Sequence, residues 1–260
     1  MRTIATVIAR GGSKRLPRKN VRPFCGLPLV AWTIIQAKCS RLIDEVWLST
    51  DDDEIQAIGE EYGAIVVRRP DWPDADTASG GRPTRHLVQT IVDTTGDFDC
   101  MVSALPTSPI RVPNDLDRLV ARYGAVGGPD RNIGQAIPMR ETVLCEGVED
   151  GMRLAIFDKS YKYLLGGFGS GASSPATLLQ SPEPTDDSDA VADAEAQSMA
   201  AEKRGPIVPY VTLDVWQAVE VDTLEEFEFG EVVMERFILQ GRGRAVYDEY
   251  ATQFNTRRKQ

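Results

Sequence analysis

The first half of the chain alternates short runs of β-branched and apolar residues with longer stretches in which apolar residues recur at helical spacing. This alternation is typical of βαβ units, in which helices join parallel strands and cover the sheet. The predicted strands are residues 4–9, 46–49, 64–67 and 100–104, and the predicted helices are residues 29–37, 51–61 and 82–92. The pattern therefore predicts an α/β fold with a mostly parallel sheet flanked by helices.

The second half carries a weaker pattern. Residues 166–171 and 181–187 are rich in glycine, serine, proline and aspartate, a composition typical of linkers, and we expect mobility over residues 166–188. Further predicted elements are a helix at 190–203, strands at 208–213 and 218–221, and a helix at 223–239. Thr223 and Glu226 have the spacing of a capping box at the start of the last helix.

Composition and charge exclude several classes of protein. The chain has 260 residues, of which 42% are hydrophobic and 26% charged, which excludes collagen-like, disulfide-scaffold and wholly disordered proteins. Lys and Arg number 29 against 39 Asp and Glu, a net charge of −10, so a polyanion must be bound locally rather than by the whole surface. We expect a protein that binds neither nucleic acid nor membrane.

The cysteines and the N-terminal residues bear on location. The four cysteines form no Cys-x-x-Cys pair, which fits reduced thiols better than a zinc ribbon or a disulfide framework. The first apolar run is too short for a signal peptide or a membrane span. These features predict a cytoplasmic protein.

The loop after the first predicted strand is strongly basic although the protein is acidic. Residues 10–20 contain two glycines and five cations. Glycines let backbone N–H groups approach an anion, and Lys and Arg neutralise phosphate charge. The loop is not a Walker A motif, because Leu16 stands where the second glycine is required, and it lacks a Gly-x-Gly-x-x-Gly pattern. It predicts a phosphate cradle, with a solvated basic loop as the alternative.

A second candidate loop follows the predicted strand 100–104. Residues 106–109, Pro-Thr-Ser-Pro, would lie at the carboxyl end of a central parallel strand. Open α/β sheets usually bind ligands at that edge. The only histidine, His86, is predicted to pack on a helix, and a role as general base is the lesser alternative.

Motifs in collinear order indicate a family. Residues 9–14 read Ala-Arg-Gly-Gly-Ser-Lys and are followed by Pro17, Lys19 and Asn20. Next come Ser-Thr-Asp at 49–51, Arg-Pro at 69–70, Asp-Thr-Ala-Ser at 76–79, Pro-Thr-Ser-Pro-Ile-Arg at 106–111 and Val-Glu-Val-Asp-Thr at 219–223. Together these motifs resemble those of the CMP-sialic acid synthetase (acylneuraminate cytidylyltransferase) family over residues 3–124 and 206–240.

The resemblance implies a fold and a reaction. It implies a nucleotidyltransferase-type, Rossmann-like domain made of residues 1–139 and 206–245, with an atypical insertion at 140–205 as a possible dimerisation element. The implied substrates are CTP and a keto sugar acid, whose 2-hydroxyl attacks the α-phosphate and releases pyrophosphate. By the same resemblance the protein is expected to be a homodimer.

The resemblance also implies site residues. Catalytic roles fall to Arg10, Lys19 and Asp222. Contacts with the nucleotide or the sugar acid fall to Arg10, Gly12, Ser13, Lys19, Asn20, Arg69, Ser79 and Arg111. Mg²⁺ would be held by Glu220 and Asp222, because alternate residues of a strand point to one side and hard oxygen ligands suit this ion; the alternative is an exposed strand face.

Three departures from the family pattern leave the acceptor open. Leu105 stands where the family has Gln, Glu220 stands where it has Asp, and residues 160–185 contain no Pro-Asn-Gly-Ala-Ile-Tyr-like segment. The alternatives are a non-catalytic relative that binds a nucleotide or a partner protein, and a nucleotidyltransferase with another base or acceptor.

Overall fold

The structure is a computed structural model that describes residues 1–70, 72, 81–126, 132–136, 170–173, 175–180, 207–211, 215–241, 243–245 and 247–248. The strands in chain order are β1 (Thr3–Ile8), β2 (Pro23–Phe24), β3 (Leu27–Pro28), β4 (Glu45–Thr50), β5 (Ile65–Arg68), β6 (Cys100–Ala104), β7 (Asn132–Ala136), β8 (Ser170–Ser173) and β9 (Ile207–Val211). The helices of the first half are α1 (Leu29–Cys39), α2 (Asp53–Glu61), α3 (Gly81–Thr95) and α4 (Asp115–Val126).

Seven strands form one sheet in the order β5-β4-β1-β6-β8-β7-β9. The first four of these are mutually parallel, β8 is antiparallel to both of its neighbours, and β7 and β9 are parallel. The short strands β2 and β3 make a separate hairpin. The prediction of a mostly parallel sheet flanked by helices is confirmed, and every predicted strand and helix of the first half is present with similar bounds.

Helices cover both faces of the sheet because its strands are apolar on both sides, as buried parallel strands usually are. Ala5 and Val7 of β1 pack in one cluster with residues of α1, α2 and α4. The alternate residue Ile4 faces the other way, into a cluster with Leu87 and Ile91 of α3. Because β5, β4, β1 and β6 are parallel, their carboxyl ends lie at one edge of the sheet.

Helix α1 is buried almost all round because it packs between the sheet and the C-terminal helix. Val30 and Ile34 join the cluster on the sheet. Leu29 and Ile35 join a second cluster that includes Phe227 of the helix Leu224–Val233. This second cluster fixes the C-terminal segment beside the loop that follows β1.

Local signals set the helix ends. The side chain of Asp52 accepts hydrogen bonds from the amides of Glu54 and Ile55 at the start of α2, as an N-cap aspartate does. The predicted capping box of Thr223 and Glu226 is confirmed at the start of Leu224–Val233. That helix continues as a π-helical segment, Met234–Leu239.

Several predictions for the second half need correction or stay open. We expected mobility over residues 166–188, but Ser170–Ser173 form β8, which pairs with β6 and β7, and Pro175–Gln180 form a helix. No strand forms at 218–221; a 3₁₀-helix spans Val215–Ala218, and the residues after it bind the turn that follows β6. The helix predicted at 190–203 lies outside the described residues, and the domain division and dimerisation role stay predictions.

Among the described residues, no helix is both long enough and apolar enough to cross a membrane.

Candidate functional site

The loop after β1 is tied to the carboxyl ends of β4 and β5. The amide of Gly11 donates to Asp51 Oδ1 at 2.8 Å, and Asp51 Oδ2 accepts from Arg69 Nη2 at 2.7 Å. Gly11 lies so close to Asp52 that a Cβ at this position would collide with the carboxylate. The glycine is therefore required by close approach, and Asp51 joins three neighbouring strand ends.

Two cations of this loop converge on Asp222. Lys19, in the 3₁₀-helix Lys19–Val21, places Nζ 2.5 Å from Asp222 Oδ1. Arg15 places Nη2 2.7 Å from Asp222 Oδ2. Asn20 closes the base of the loop by donating to the carbonyl of Arg10 at 2.9 Å. The loop therefore carries buried and exposed cations around one carboxylate.

Glu220 is held against the turn after β6. Thr107 Oγ1 donates to Glu220 Oε1 at 3.1 Å, and the amide of Val221 donates to the carbonyl of Thr107 at 2.7 Å. Burial raises the pKa of Glu220, with a further contribution from nearby Asp222, while Thr107 and Lys19 act in the opposite direction. The two carboxylates and Lys19 thus share one electrostatic environment.

The donor set fits Mg²⁺. Glu220 and Asp222 supply hard carboxylate oxygens, and a divalent ion would favour the charged form of Glu220, whose pKa is raised by burial and by nearby Asp222. Within the described ranges no group of three or more His, Cys, Asp or Glu could hold a metal. A cation held by this pair would therefore need further ligands, such as the phosphates of a substrate, which is the usual arrangement for Mg²⁺.

The predicted site residues fall into four groups, the last of which is Arg111. Lys19, Asn20, Glu220 and Asp222 lie together, next to the half-buried Arg10 and the loop residues Gly12 and Ser13. Arg69 lies at the neighbouring strand end, where it binds Asp51. Ser79 lies outside the described residues.

Arg111 occupies a different environment from that expected of a ligand contact. Its side chain is buried, with Nη1 2.7 Å from Gln36 Oε1 and Nη2 2.8 Å from the carbonyl of Leu105. Burial lowers the pKa of Arg111 to about 10. In this arrangement Arg111 supports the turn from inside the protein, and a contact with nucleotide or sugar acid stays a prediction.

The sequence motifs contained several site residues to which no role was assigned. These are Arg15, Asp51 and Thr107, which bind Asp222, Gly11 and Glu220 respectively. Asp51 and Thr107 belong to the Ser-Thr-Asp and Pro-Thr-Ser-Pro motifs. Their position directly after predicted strands was the available signal, since strand ends meet at one edge.

His86 packs at the edge of this region. Its ring contacts Trp72 edge to face, with centroids 5.7 Å apart. Burial lowers the pKa of His86, as does the charge of Arg69. The predicted packing role agrees with this contact.

The comparison with protein families matches the first part of the chain. Residues 4–110 fit the family model described as Cytidylyltransferase. This match to the cytidylyltransferase family covers a segment that is less than half of the chain. The resemblance inferred from the motifs is thereby confirmed for the part of the chain that holds the basic loop and the turn after β6.

Named relatives of the cytidylyltransferase segment act on several sugar acids. The chain is 35% identical over 134 residues to a CMP-N,N'-diacetyllegionaminic acid synthase of Legionella pneumophila, covering 49% of this chain and 55% of that protein. It is 34% identical over 125 residues to a pseudaminic acid cytidylyltransferase of Campylobacter jejuni, with 47% and 53% covered. An N-acylneuraminate cytidylyltransferase B of Danio rerio is 31% identical over 118 residues, with 45% and 27% covered. The matches span about half the length of the two bacterial relatives and about a quarter of the fish protein.

Solved structures extend the likeness of fold beyond the cytidylyltransferase segment. A cytidylyltransferase from Leptospira borgpetersenii superposes with a TM-score of 0.63 at 16% identity, covering 100% of this chain and 96% of that one. A CMP:2-keto-3-deoxy-manno-octonic acid synthetase complexed with CTP gives a TM-score of 0.62 at 18% identity, with 91% and 99% covered. The nucleotidyltransferase-type fold expected from the motifs is confirmed.

Proposed function

We propose that the protein is a cytidylyltransferase that transfers CMP from CTP to the 2-hydroxyl of a sialic acid-like keto sugar acid. The observation that carries the proposal is the convergence of Lys19, Asp222 and Glu220 beside the glycine-containing loop. The named relatives, which include synthases for legionaminic, pseudaminic and N-acylneuraminic acids, support the substrate class.

The first task of this site is to hold a triphosphate. Phosphate oxygens can take the place of the Asp222 carboxylate at Lys19 and Arg15, because charge-assisted hydrogen bonds to phosphate are as strong as those to carboxylate. Gly12 is exposed and leaves room for a phosphate to approach the backbone. We infer that Arg10 and Lys19 contact the triphosphate and that Asn20 keeps their loop closed.

The second task is to stabilise the charge that moves during the transfer. The acceptor 2-hydroxyl oxygen forms a bond to the α-phosphorus, its proton leaves, and the bond to the bridging oxygen breaks so that pyrophosphate departs with that electron pair. Such a reaction depends on positioning and on fixed positive charge. Lys19 is suited to this role because its ammonium group is buried and held in one place.

We further propose that the reaction depends on Mg²⁺, that Glu220 and Asp222 hold the ion, and that it neutralises phosphate charge. A homodimeric state and a cytoplasmic location complete the proposal. The resemblance of the motifs supports the dimer. The described cysteines, Cys25, Cys39 and Cys100, form no disulfide with one another, which is compatible with a reducing compartment.

The decisive experiment measures pyrophosphate release from CTP and Mg²⁺ with a panel of keto sugar acids that includes N-acetylneuraminate and the legionaminic, pseudaminic and octulosonic types. UTP, GTP and ATP serve as competing nucleotides, and Asp222→Asn serves as the control variant. Release with one acid, abolished in the variant, is the expected result. Binding of CTP without release across the whole panel would contradict the proposal and favour a non-catalytic nucleotide-binding relative.

A further inference from the structure

The turn after β6 is held from inside the protein by buried polar side chains. The carbonyl of Leu105 accepts from Arg111 Nη2 at 2.8 Å, and the carbonyl of Pro109 accepts from Gln36 Nε2 at 2.6 Å. Arg111 Nη1 and Gln36 Oε1 are joined at 2.7 Å. Because these groups are buried, breaking any one of these bonds would leave an unpaired polar group in the interior, which is costly. The turn is therefore a fixed point of the structure.

Thr107, in this fixed turn, makes two hydrogen bonds to the acidic segment, which is residues 219–222. Its hydroxyl donates to Glu220 Oε1 at 3.1 Å, and its carbonyl accepts from the amide of Val221 at 2.7 Å. In the described part of the chain, residues 219–222 belong to no strand ladder. Val219 and Val221 also pack in the cluster that contains Phe227, and Asp222 binds Lys19 and Arg15. The two bonds to Thr107 are the hydrogen bonds that join these residues to the turn after β6.

The attachment at Thr107 helps to place both carboxylates. Val221 lies between Glu220 and Asp222, so fixing its amide and the Glu220 side chain also constrains Asp222, whose own amide donates to Glu226 Oε2 at 2.9 Å. Asp222 then meets Lys19 at 2.5 Å. The valine amide needs only the carbonyl of residue 107, which every amino acid has, whereas Glu220 needs the hydroxyl.

We propose that Thr107 is the positioning residue of the carboxylate pair: its hydroxyl holds Glu220 in the place from which Glu220 and Asp222 act together on the metal-bound triphosphate. This inference rests on the proposed function. It predicts that loss of the hydroxyl weakens binding of metal-loaded nucleotide and leaves binding of metal-free nucleotide unchanged.

The test compares Thr107→Val, which keeps the shape of the side chain and loses the hydroxyl, with Thr107→Ser, which keeps the hydroxyl and loses the methyl group. The control is Thr90→Val, because Thr90 Oγ1 binds only its own helix, donating to the carbonyl of His86 at 2.8 Å. Isothermal titration calorimetry on the full chain measures the Kd for CTP twice, once with Mg²⁺ and once with EDTA. The readout is the ratio of the two values, which is the gain in affinity that the metal provides.

The expected result is a fall in this ratio of at least about tenfold in Thr107→Val, the effect of losing a hydrogen bond to a charged group. Thr107→Ser and Thr90→Val should stay near the wild-type ratio. An unchanged ratio in Thr107→Val, a serine variant as weak as the valine variant, or equal weakening of both Kd values would overturn the inference.

The proposed function can fail separately. A wild-type protein that shows the metal-dependent gain but releases no pyrophosphate with any acceptor would overturn the function and leave Thr107 as a positioning residue for bound nucleotide. A wild-type protein with no metal-dependent gain would overturn the role of Thr107 even if pyrophosphate were released.

Discussion

Two loops at neighbouring strand ends are held in opposite ways. The loop after β1 is held largely by ion pairs with exposed partners: Arg15, whose side chain is 70% exposed, binds Asp222, and Arg18 binds Asp52 and Glu54. The turn after β6 is held by hydrogen bonds from buried side chains, among them Arg111 and Gln36.

The difference shows which loop can change partners. Exposed ion pairs contribute little stability because water and salt screen them, so a phosphate can replace the carboxylate at Arg15 at small cost. At the buried Lys19 a phosphate oxygen would supply the charge-assisted hydrogen bond that Asp222 now supplies. Buried hydrogen bonds cannot be exchanged in this way, because each broken bond leaves an unpaired group. The loop after β1 is suited to receive a charged ligand, and the turn after β6 is suited to hold other groups in place.

The largest expected effect of any substitution in these two loops is the loss of activity in Lys19→Met. Lys19 is the buried cation of the loop after β1, which we call the exchangeable loop because its cations can change partners. Removing Lys19 should lower kcat/KM for pyrophosphate release by roughly 10²–10³-fold, the range seen when a fixed charge-stabilising group is lost. The control is Lys14→Met in the same loop, where the lysine is exposed. Equal values of kcat/KM in the two variants would show that Lys19 has no special role in the reaction.

Gln36→Leu tests the buried side of the comparison. The substitution leaves the carbonyl of Pro109 without its donor and Nη1 of Arg111 without its acceptor. We therefore expect a loss of about 2–4 kcal/mol in the free energy of unfolding from unpaired buried groups. Arg18→Met, in the exposed loop, should change the free energy of unfolding far less, because water and salt screen the ion pairs of Arg18. Urea denaturation of both variants gives the two values, and a larger loss for Arg18→Met would reverse our interpretation of the loops.

Gly11→Ala tests the close packing of the exchangeable loop on Asp52. The added methyl group would meet the carboxylate, and forced repacking of this kind costs typically about 1–3 kcal/mol. Gly124→Ala is the matched control, since Gly124 lies in α4 and a methyl group added there would lie 3.9 Å from its nearest neighbour, an ordinary van der Waals contact. The free energy of unfolding of that variant should rise by about 0.5–1 kcal/mol, because alanine stabilises a helix more than glycine does. Denaturation curves that shift in the same direction for both would contradict the packing of Gly11.

The smallest effect concerns pH and Asp52. Partial burial raises the pKa of Asp52, but hydrogen bonds from Arg18 and from the amides of Ile55 and Glu54 outweigh it, so the pKa lies below its ordinary value. A carboxyl with a depressed pKa stabilises the fold above its unfolded pKa of about 3.9 and loses this contribution as pH falls toward the folded value.

Asp52→Asn keeps the helix cap and removes the charge. Wild type should therefore be the more stable at pH 7, with the gap closing below about pH 4. Thermal unfolding at a series of pH values measures the gap. A gap that widens on acidification would show that the charge of Asp52 does not stabilise the fold.

The parallel half of the sheet could be predicted because its signals are local. Strands β1, β4 and β6 are apolar runs, and α2 begins at an aspartate that caps it. Strand β8 could not be predicted, because Ser170–Ser173 has no apolar run; its strand conformation depends on pairing with β6 and β7, and tertiary context overrides weak β-propensity.

The site was predictable in its parts and not in its connections. The motifs pointed to Lys19, Glu220 and Asp222, but the strand expected at 218–221 is absent, and the amide of Val221 binds Thr107. Which cation meets which carboxylate depends on how the C-terminal segment packs against α1 through the cluster that contains Phe227. Packing of that kind is not encoded in any local stretch of sequence.

The pair formed by Lys19 and Asp222 joins residues that lie 203 positions apart in the chain. Contacts of such long range form late, since the entropy of closing the loop must be lost before the contact contributes. During synthesis the basic loop leaves the ribosome well before Asp222, so Lys19 and Arg15 lack this partner until residue 222 follows. The cluster around Asp222 can be completed only after that residue has been added.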